Sequence, residues 1–243
     1  MNRRIGIFLL LVLAIFMVCP AATSSAEQPT AIESTYGIAH CDATELLDPE
    51  RDYLIIVNST HEYDFGGAYH VALQPDLVYL PNAVDGDIMA VEKAAFLAFT
   101  SLQYDLKVNH GIDVALYDGY RTASDQEFIN SLYASGTPGI TNATQPGFSE
   151  HHTGLLLDIV LWLSDDGENY KWHSANAERL ATVPEFRTVY QTMVDYGFIL
   201  RYPSDKADIT GVKNAEFDIR FVGSAATAHA IMDNGLCLEE YLN

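Results

Sequence analysis

Basic residues are scarce in this chain. Thirteen Lys and Arg stand against 33 Asp and Glu over 243 residues, a formal charge of −20, which argues against nucleic acid and anionic membrane surfaces as partners, since both select cationic faces. Cysteine is scarcer still, with only Cys19, Cys41 and Cys237. No periodic repeat, low-complexity block or long Gly/Ser linker divides the sequence, so it reads as one domain rather than an array. Nor is there an apolar run of the roughly 20 residues a spanning helix needs. The longest, Ile5 to Val18, follows Arg3 and Arg4 and precedes Pro20 and a small-residue segment ending at Ala26. That is the three-part pattern of a secretory signal peptide, residues 1–26, with an uncleaved N-terminal anchor as the alternative.

What is present follows from that leader. It carries two of the 13 basic residues and none of the acidic ones, leaving 11 against 33 in the mature chain. Export implies an oxidising compartment, where Cys41 and Cys237, one near each end, are candidates for a disulfide worth a few kcal/mol. Residues 27–52 are polar and mixed and read as an arm; 53–243 read as the domain.

Within the domain, Tyr53 to Val57 (YLIIV) predicts a strand and His61 to Gln74 a covering loop. Asp87 to Lys107 carries apolar residues at helical spacing and predicts a long helix. Ile112 to Tyr117 reads as a strand that delivers Asp118-Gly119-Tyr120-Arg121-Thr122 into a helix from about Ser124 to Ala134. Such a junction exposes Arg121, whose fixed donors suit a carboxylate. Asp165 to Ser174 reads as a polar loop, Pro184 to Tyr196 as a helix and Phe198 to Pro203 as a short strand. Glu216 to Val222 alternates, with Phe217, Ile219 and Phe221 on a core face and Glu216, Asp218 and Arg220 opposite. Two short helices separated at Gly235 close the chain. The mixture predicts an α+β domain with a small, mainly antiparallel sheet flanked by helices.

The organising stretch is Gly147 to Trp162, GFSEHHTGLLLDIVLW. Leu155 to Leu161 has the composition of a buried central strand, broken by Asp158. A carboxylate there needs a cation, a metal or strong donors, and His151, seven residues earlier across the Gly154 turn, is the nearest residue able to share a metal with it.

These residues carry a resemblance. Gly119-Tyr120-Arg121 with Gln126, Pro146 to His151 running into Thr153-Gly154 and Asp158, Tyr196 to Pro203, Ile209-Thr210-Gly211, Arg220 to Gly223 and Leu236 to Leu242 stand in the order and spacing of the secreted zinc D-alanyl-D-alanine carboxypeptidases, which the chain resembles from about Leu54 to Leu242. The resemblance implies that His151 and Asp158 are zinc ligands, and that Arg121, Gln126 and Ser149 face the carboxylate of a D-Ala-D-Ala-ended peptidoglycan stem peptide. It also implies an extracytoplasmic location.

The chain departs from the pattern on one strand. Aligned without a gap between Ile209 and Gly223, Ala215 stands where the family has its catalytic glutamate and Asp218 where it has the third zinc ligand. Asp218 can bind a metal, shifting preference from zinc toward oxygen-loving divalent ions, or can pair with Arg220 with no metal at all. Glu216, if a bulge turns it round, or His152 would have to replace the missing base. The alternative reading is a non-catalytic descendant that binds peptide or a protein partner.

Overall fold

A computed structural model describes residues 47–65, 75–83, 86–137, 143–165, 168–172, 182–213 and 215–243; the leader and Cys41 lie outside them. The ten-residue strand β4 (Leu156–Asp165) is the axis of a five-stranded antiparallel sheet. Leu155, Leu156, Leu157, Ile159, Val160 and Leu161 are all buried, as a continuous aliphatic run with both faces covered requires. β3 (Asp113–Asp118) pairs with β4 from Asp113↔Trp162 to Asp118↔Asp158, with a register shift between Leu116 and Asp118. β7 (Asp218–Phe221) pairs with β4 from Leu156↔Arg220 to Asp158↔Asp218. β6 (Phe198–Leu200) lies beyond β7, and β5 (Glu168–Trp172) pairs with the far end of β4. Asp118, Asp158 and Asp218 are therefore in register across three neighbouring strands.

Two expectations change here. The polar loop expected from Asp165 to Ser174 contains β5, closed onto β4 by backbone pairing. Tyr53 to Val57 joins no sheet; it runs past the core and offers the Ile55 carbonyl to Arg220 Nη2 at 3.0 Å. Leu54, Ile55 and Ile56 bury only partly, while Val57 is buried, so composition alone misjudged it.

The long helix also starts later than its periodicity suggests. Ile88–Glu92 forms β2, paired antiparallel with β1 (Leu77–Pro81), and α1 runs over Lys93–His110. Met89 and Ala90 fit helical spacing with Ala94, Leu97 and Ala98, but hairpin pairing overrides that local preference. α1 buries Phe96, Phe99, Leu102 and Leu106 in the main core against β3, each contributing about 1.5–3 kcal/mol. It ends at Gly111, whose φ of 69° closes the last turn in the left-handed region.

α2 (Ala123–Ala134) opens with a capping box. Thr122 Oγ1 accepts from the Asp125 N–H, and Asp125 Oδ2 accepts from the Thr122 N–H. Among the described residues the remaining α-helices are α3 (Pro184–Thr192), α4 (Ala207–Thr210), α5 (Ala225–Met232) and α6 (Leu238–Tyr241). The architecture is α+β with a small antiparallel sheet. No helix among the described residues is long and apolar enough to cross a membrane.

Glu92, at the end of β2, is buried. Its Oε2 accepts from the Asp76 N–H at 2.9 Å and lies 3.7 Å from Arg51 Nε, while Arg51 Nη2 donates to the Thr153 carbonyl. Burial pushes the carboxyl up to about 7, against the pull of Arg51 and the Asp76 N–H. The folded chain thus keeps this proton to higher pH than the unfolded chain does. The associated stability is complete below about pH 4.5 and is lost as the pH rises through 7. Glu92→Gln cannot ionise, so its unfolding free energy relative to the parent should climb between those pH values and level off above them. At about 1.4 kcal/mol per pKa unit the climb is at most about 3 kcal/mol. Urea unfolding across pH 4 to 8 measures it, and a difference independent of pH would refute it.

Candidate metal and peptide site

The site is assembled where β3, β4 and β7 come level. Asp158 projects from β4. His151 arrives on the one-turn 3-10 helix Glu150–Thr153, which stops at Gly154 with φ 71° and turns the chain into β4. Arg121 arrives from the end of β3 through Gly119. A side chain at Gly119 would place Cβ 2.5 Å from the Ala90 carbonyl oxygen, the same oxygen that accepts from the Tyr120 N–H at 2.7 Å. Only glycine allows the hairpin to approach this closely, and the approach fixes where Arg121 emerges.

The chemistry of the His151–Asp158 pair follows from its hydrogen bonds. His151 Nδ1 lies 2.6 Å from the Gly119 carbonyl oxygen, which can only accept, so Nδ1 carries the hydrogen and Nε2 presents a lone pair. Burial, then the Arg121 charge, hold His151 below its ordinary range, against the opposing pull of Asp158 and Asp118. Nε2 faces Asp158 Oδ1 at 3.3 Å. An ion pair would require an imidazolium that this environment disfavours, and Asp158 Oδ1 is buried with no hydrogen-bond donor. Two acceptor atoms held face to face without a hydrogen between them fit a shared metal ion, and the carbonyl partner on Nδ1 is the usual outer support of a metal-binding histidine.

Asp218 stands on the other side of Asp158. Burial, then the adjacent Asp158 charge and a hydrogen bond to that carboxylate, push Asp218 well above the usual carboxylate range. Its Oδ1 is a second buried oxygen without a donor. In this arrangement Asp218 is turned onto Asp158, and among the described residues no three His, Cys, Asp or Glu side chains are already gathered in ligand-set geometry. His151 Nε2 and Asp158 Oδ1 fit a divalent ion as they stand, and the Asp218 carboxyl lies against Asp158 beside them. The pair of Asp218 with Arg220, expected as the metal-free alternative, does not form, because Arg220 Nε bonds Glu150 Oε1 at 2.6 Å instead.

Arg121 binds the third aspartate of the row. Its Nε and Nη2 reach Asp118 Oδ2 at 2.8 and 2.7 Å, Nη2 lies 3.5 Å from Asp158 Oδ2, and Nη1 donates to Gln126 Oε1 at 3.4 Å. Burial works against ionisation of Asp118, but Arg121 and the Gly119 N–H outweigh it and hold the carboxyl below its usual range. Gln126 is buried and anchored through Nε2 to the Thr144 carbonyl. Ser149 is buried immediately before the His151 turn. Beside Arg121, a groove of about 410 Å³ opens between the hairpin and α2, lined by Tyr79, Ile88, Tyr117, Asp125 and Phe128 among others. Tyr79, Ile88 and Phe128 are largely exposed along it.

Both suggested replacement bases have other partners. His152 Nδ1 lies 2.7 Å from the Arg121 carbonyl and its Nε2 accepts from the Gly147 N–H at 3.0 Å, so both nitrogens are committed and the buried ring is structural. Glu216 does not stand in the strand. The Asp218 N–H bonds the Ala215 carbonyl at 3.0 Å, closing a turn over residues 215–218, and the Glu216 carboxylate engages the Ser204 hydroxyl. Ala215 is buried in the main core.

Sequence reading missed two features. Asp118 was passed over although it directly precedes Gly119-Tyr120-Arg121. The second is a fully buried network in which Glu150 receives Arg201 Nε at 2.5 Å and Arg220 Nε at 2.6 Å, while Arg201 Nη1 and Nη2 fork onto Glu239 at 2.9 and 2.7 Å. The signal was the presence of two arginines and two glutamates in four separate motifs, of which only Arg220 had an assigned partner, Asp218.

The fold thus gathers the His151 imidazole, the Asp158 carboxylate and the Arg121 guanidinium at one end of the central strand. The model of the VanY D-alanyl-D-alanine carboxypeptidase family matches residues 89–224, more than half of the chain, including Asp118, Arg121, His151, Asp158 and Asp218. The chain belongs to that family. It is 30% identical to YodJ of Bacillus subtilis, a protein assigned to the carboxypeptidases, over 86% of this chain and 75% of the relative. It is 35% identical to a D-alanyl-D-alanine carboxypeptidase of Enterococcus faecalis over 58% of this chain, which spans about half of that longer protein. Among solved structures it resembles the vancomycin-resistance D,D-pentapeptidase VanY, caught as a Glu-to-Ala variant with Zn(II), at TM-score 0.56 and 27% identity over 79% of this chain and 99% of the other. The complex of VanYB with D-alanine-D-alanine matches at TM-score 0.57 and 28% identity, over 79% and 97%.

Proposed function

We propose that this protein is exported to the cell envelope, where it recognises peptidoglycan stem peptides ending in D-Ala-D-Ala. Arg121 and Ser149 receive the terminal carboxylate, Gln126 holds Arg121, and the peptide body lies along the groove beside the hairpin. The export step is supported by the leader pattern and the substrate by the family. The observation that carries the site assignment is the buried His151 Nε2 and Asp158 Oδ1, two acceptors 3.3 Å apart beside Arg121 with no donor between them.

A divalent ion held by His151, Asp158 and Asp218 would polarise the peptide carbonyl and acidify a water. Proton removal is the weak point. Ala215 cannot accept a proton, His152 is locked and Glu216 is engaged with Ser204, so hydrolysis by this chain should be slow. The same observation favours a second reading, a peptide-binding protein that no longer turns over.

Release of D-alanine from a D-Ala-D-Ala-ended peptide, measured beside calorimetric peptide binding, tests both. Ala215→Glu should raise turnover by about 10²- to 10⁴-fold, the usual worth of a general base. Rapid turnover by the parent, unchanged in Ala215→Glu, would overturn the assignment of position 215. Failure of the parent to bind the peptide would overturn the substrate.

A further inference from the structure

The donor set speaks to which ion the site takes. His151 offers one imidazole nitrogen. Asp158 and Asp218, 4% and 6% exposed, each offer a carboxylate with an oxygen that has no hydrogen-bond donor. Their strands are paired with these two residues directly opposite, so the carboxylates are brought together by the sheet rather than by a mobile loop. Among the described residues no thiolate takes part: Cys237 is buried beside Glu240 of α6. One imidazole nitrogen with two carboxyl groups is a harder set than nitrogen-rich or sulfur-rich ones, and carboxylate and water ligands suit manganese, magnesium and calcium while imidazole suits zinc.

We propose that Asp218 tunes this centre toward a hard divalent cation, with manganese(II) the best fit to a mixed nitrogen and carboxylate set, and away from the zinc bound by the related VanY structure. The inference rests on the reading that His151 and Asp158 hold a cation. Zinc generally binds a given site more tightly than manganese, so the quantity at issue is the ratio of their dissociation constants, not either alone.

The test uses the full mature chain, freed of metal by chelator and titrated separately with manganese(II) and zinc(II). Calorimetry gives both constants, and the fall in the free-manganese electron paramagnetic resonance signal gives manganese binding independently. Asp218→His should widen the zinc-over-manganese ratio by about tenfold or more, chiefly through lost manganese affinity, in line with the 10- to 100-fold sensitivity of metal sites to nearby changes. Asp218→Asn, closest in shape, should bind manganese at least about tenfold more weakly than the parent while retaining its circular dichroism, and it carries the test if the histidine variant does not fold. Equal ratios in parent and Asp218→His, or unchanged manganese binding by Asp218→Asn, would overturn the role of Asp218. If the parent binds neither ion, the cation seat itself is wrong, an outcome distinct from a seat that simply favours zinc.

Discussion

Glu150→Ala is expected to cost about 3–5 kcal/mol of folding stability, the usual result of removing one partner from a buried ion pair. Arg201 would keep its fork on Glu239, but Arg220, fully buried, would be left with only the Phe221 and Ile55 carbonyls. Set against a typical total of about 5–15 kcal/mol, that loss is severe. Glu239→Gln should cost less, about 1.5–3 kcal/mol, because the amide can still accept one of the two Arg201 bonds. Urea unfolding of the two variants measures the ordering; equal losses would mean that Glu150 is not the shared centre of the network.

The adjacent histidines should behave in opposite ways. His151→Ala removes the lone pair facing Asp158, so stabilisation by added manganese(II) or zinc(II), about 2.7 kcal/mol at a hundredfold excess over the dissociation constant, should vanish. His152→Ala leaves that seat intact but strands the Gly147 N–H and the Arg121 carbonyl and removes the ring packed 4.7 Å from Phe65. It should lose about 1–3 kcal/mol for each stranded group while still responding to the cation. Thermal unfolding with and without metal distinguishes them, and a lost metal response in both variants would contradict the assignment.

The readable parts of this chain were those where local pattern and tertiary need coincide. Leu155 to Leu161 announces a buried strand because no other setting suits so many aliphatic residues in succession, and Asp158 within it announces a site because a lone carboxylate there is costly. β3 and α2 were legible through the alternation of Ile112 to Tyr117 and the glycine-containing junction that follows it. The hairpin was not. Met89 and Ala90 fit a helix equally well, and what decides them is a partner, Leu77 to Pro81, that no local rule points to. β5 was hidden for the same reason, since a polar strand at a sheet edge looks like a loop. The fate of Glu216 and Arg220 depended on a turn at 215–218 and on Glu150, some 70 residues away, neither of which alternation along the strand can reveal.

The close approach of Gly119 to Ala90 couples two parts of the molecule mechanically. The hairpin strand grips the chain through the Tyr120 N–H, and the next residue, Arg121, donates its own N–H to the His151 carbonyl at 3.2 Å. Groove wall, Arg121 and the His151 turn thus form a single train of backbone bonds. On the proposed peptide reading, a peptide thick enough to wedge the hairpin outward would drag the guanidinium and the imidazole with it, and the groove would discriminate against bulky peptides through that misalignment, without any direct clash.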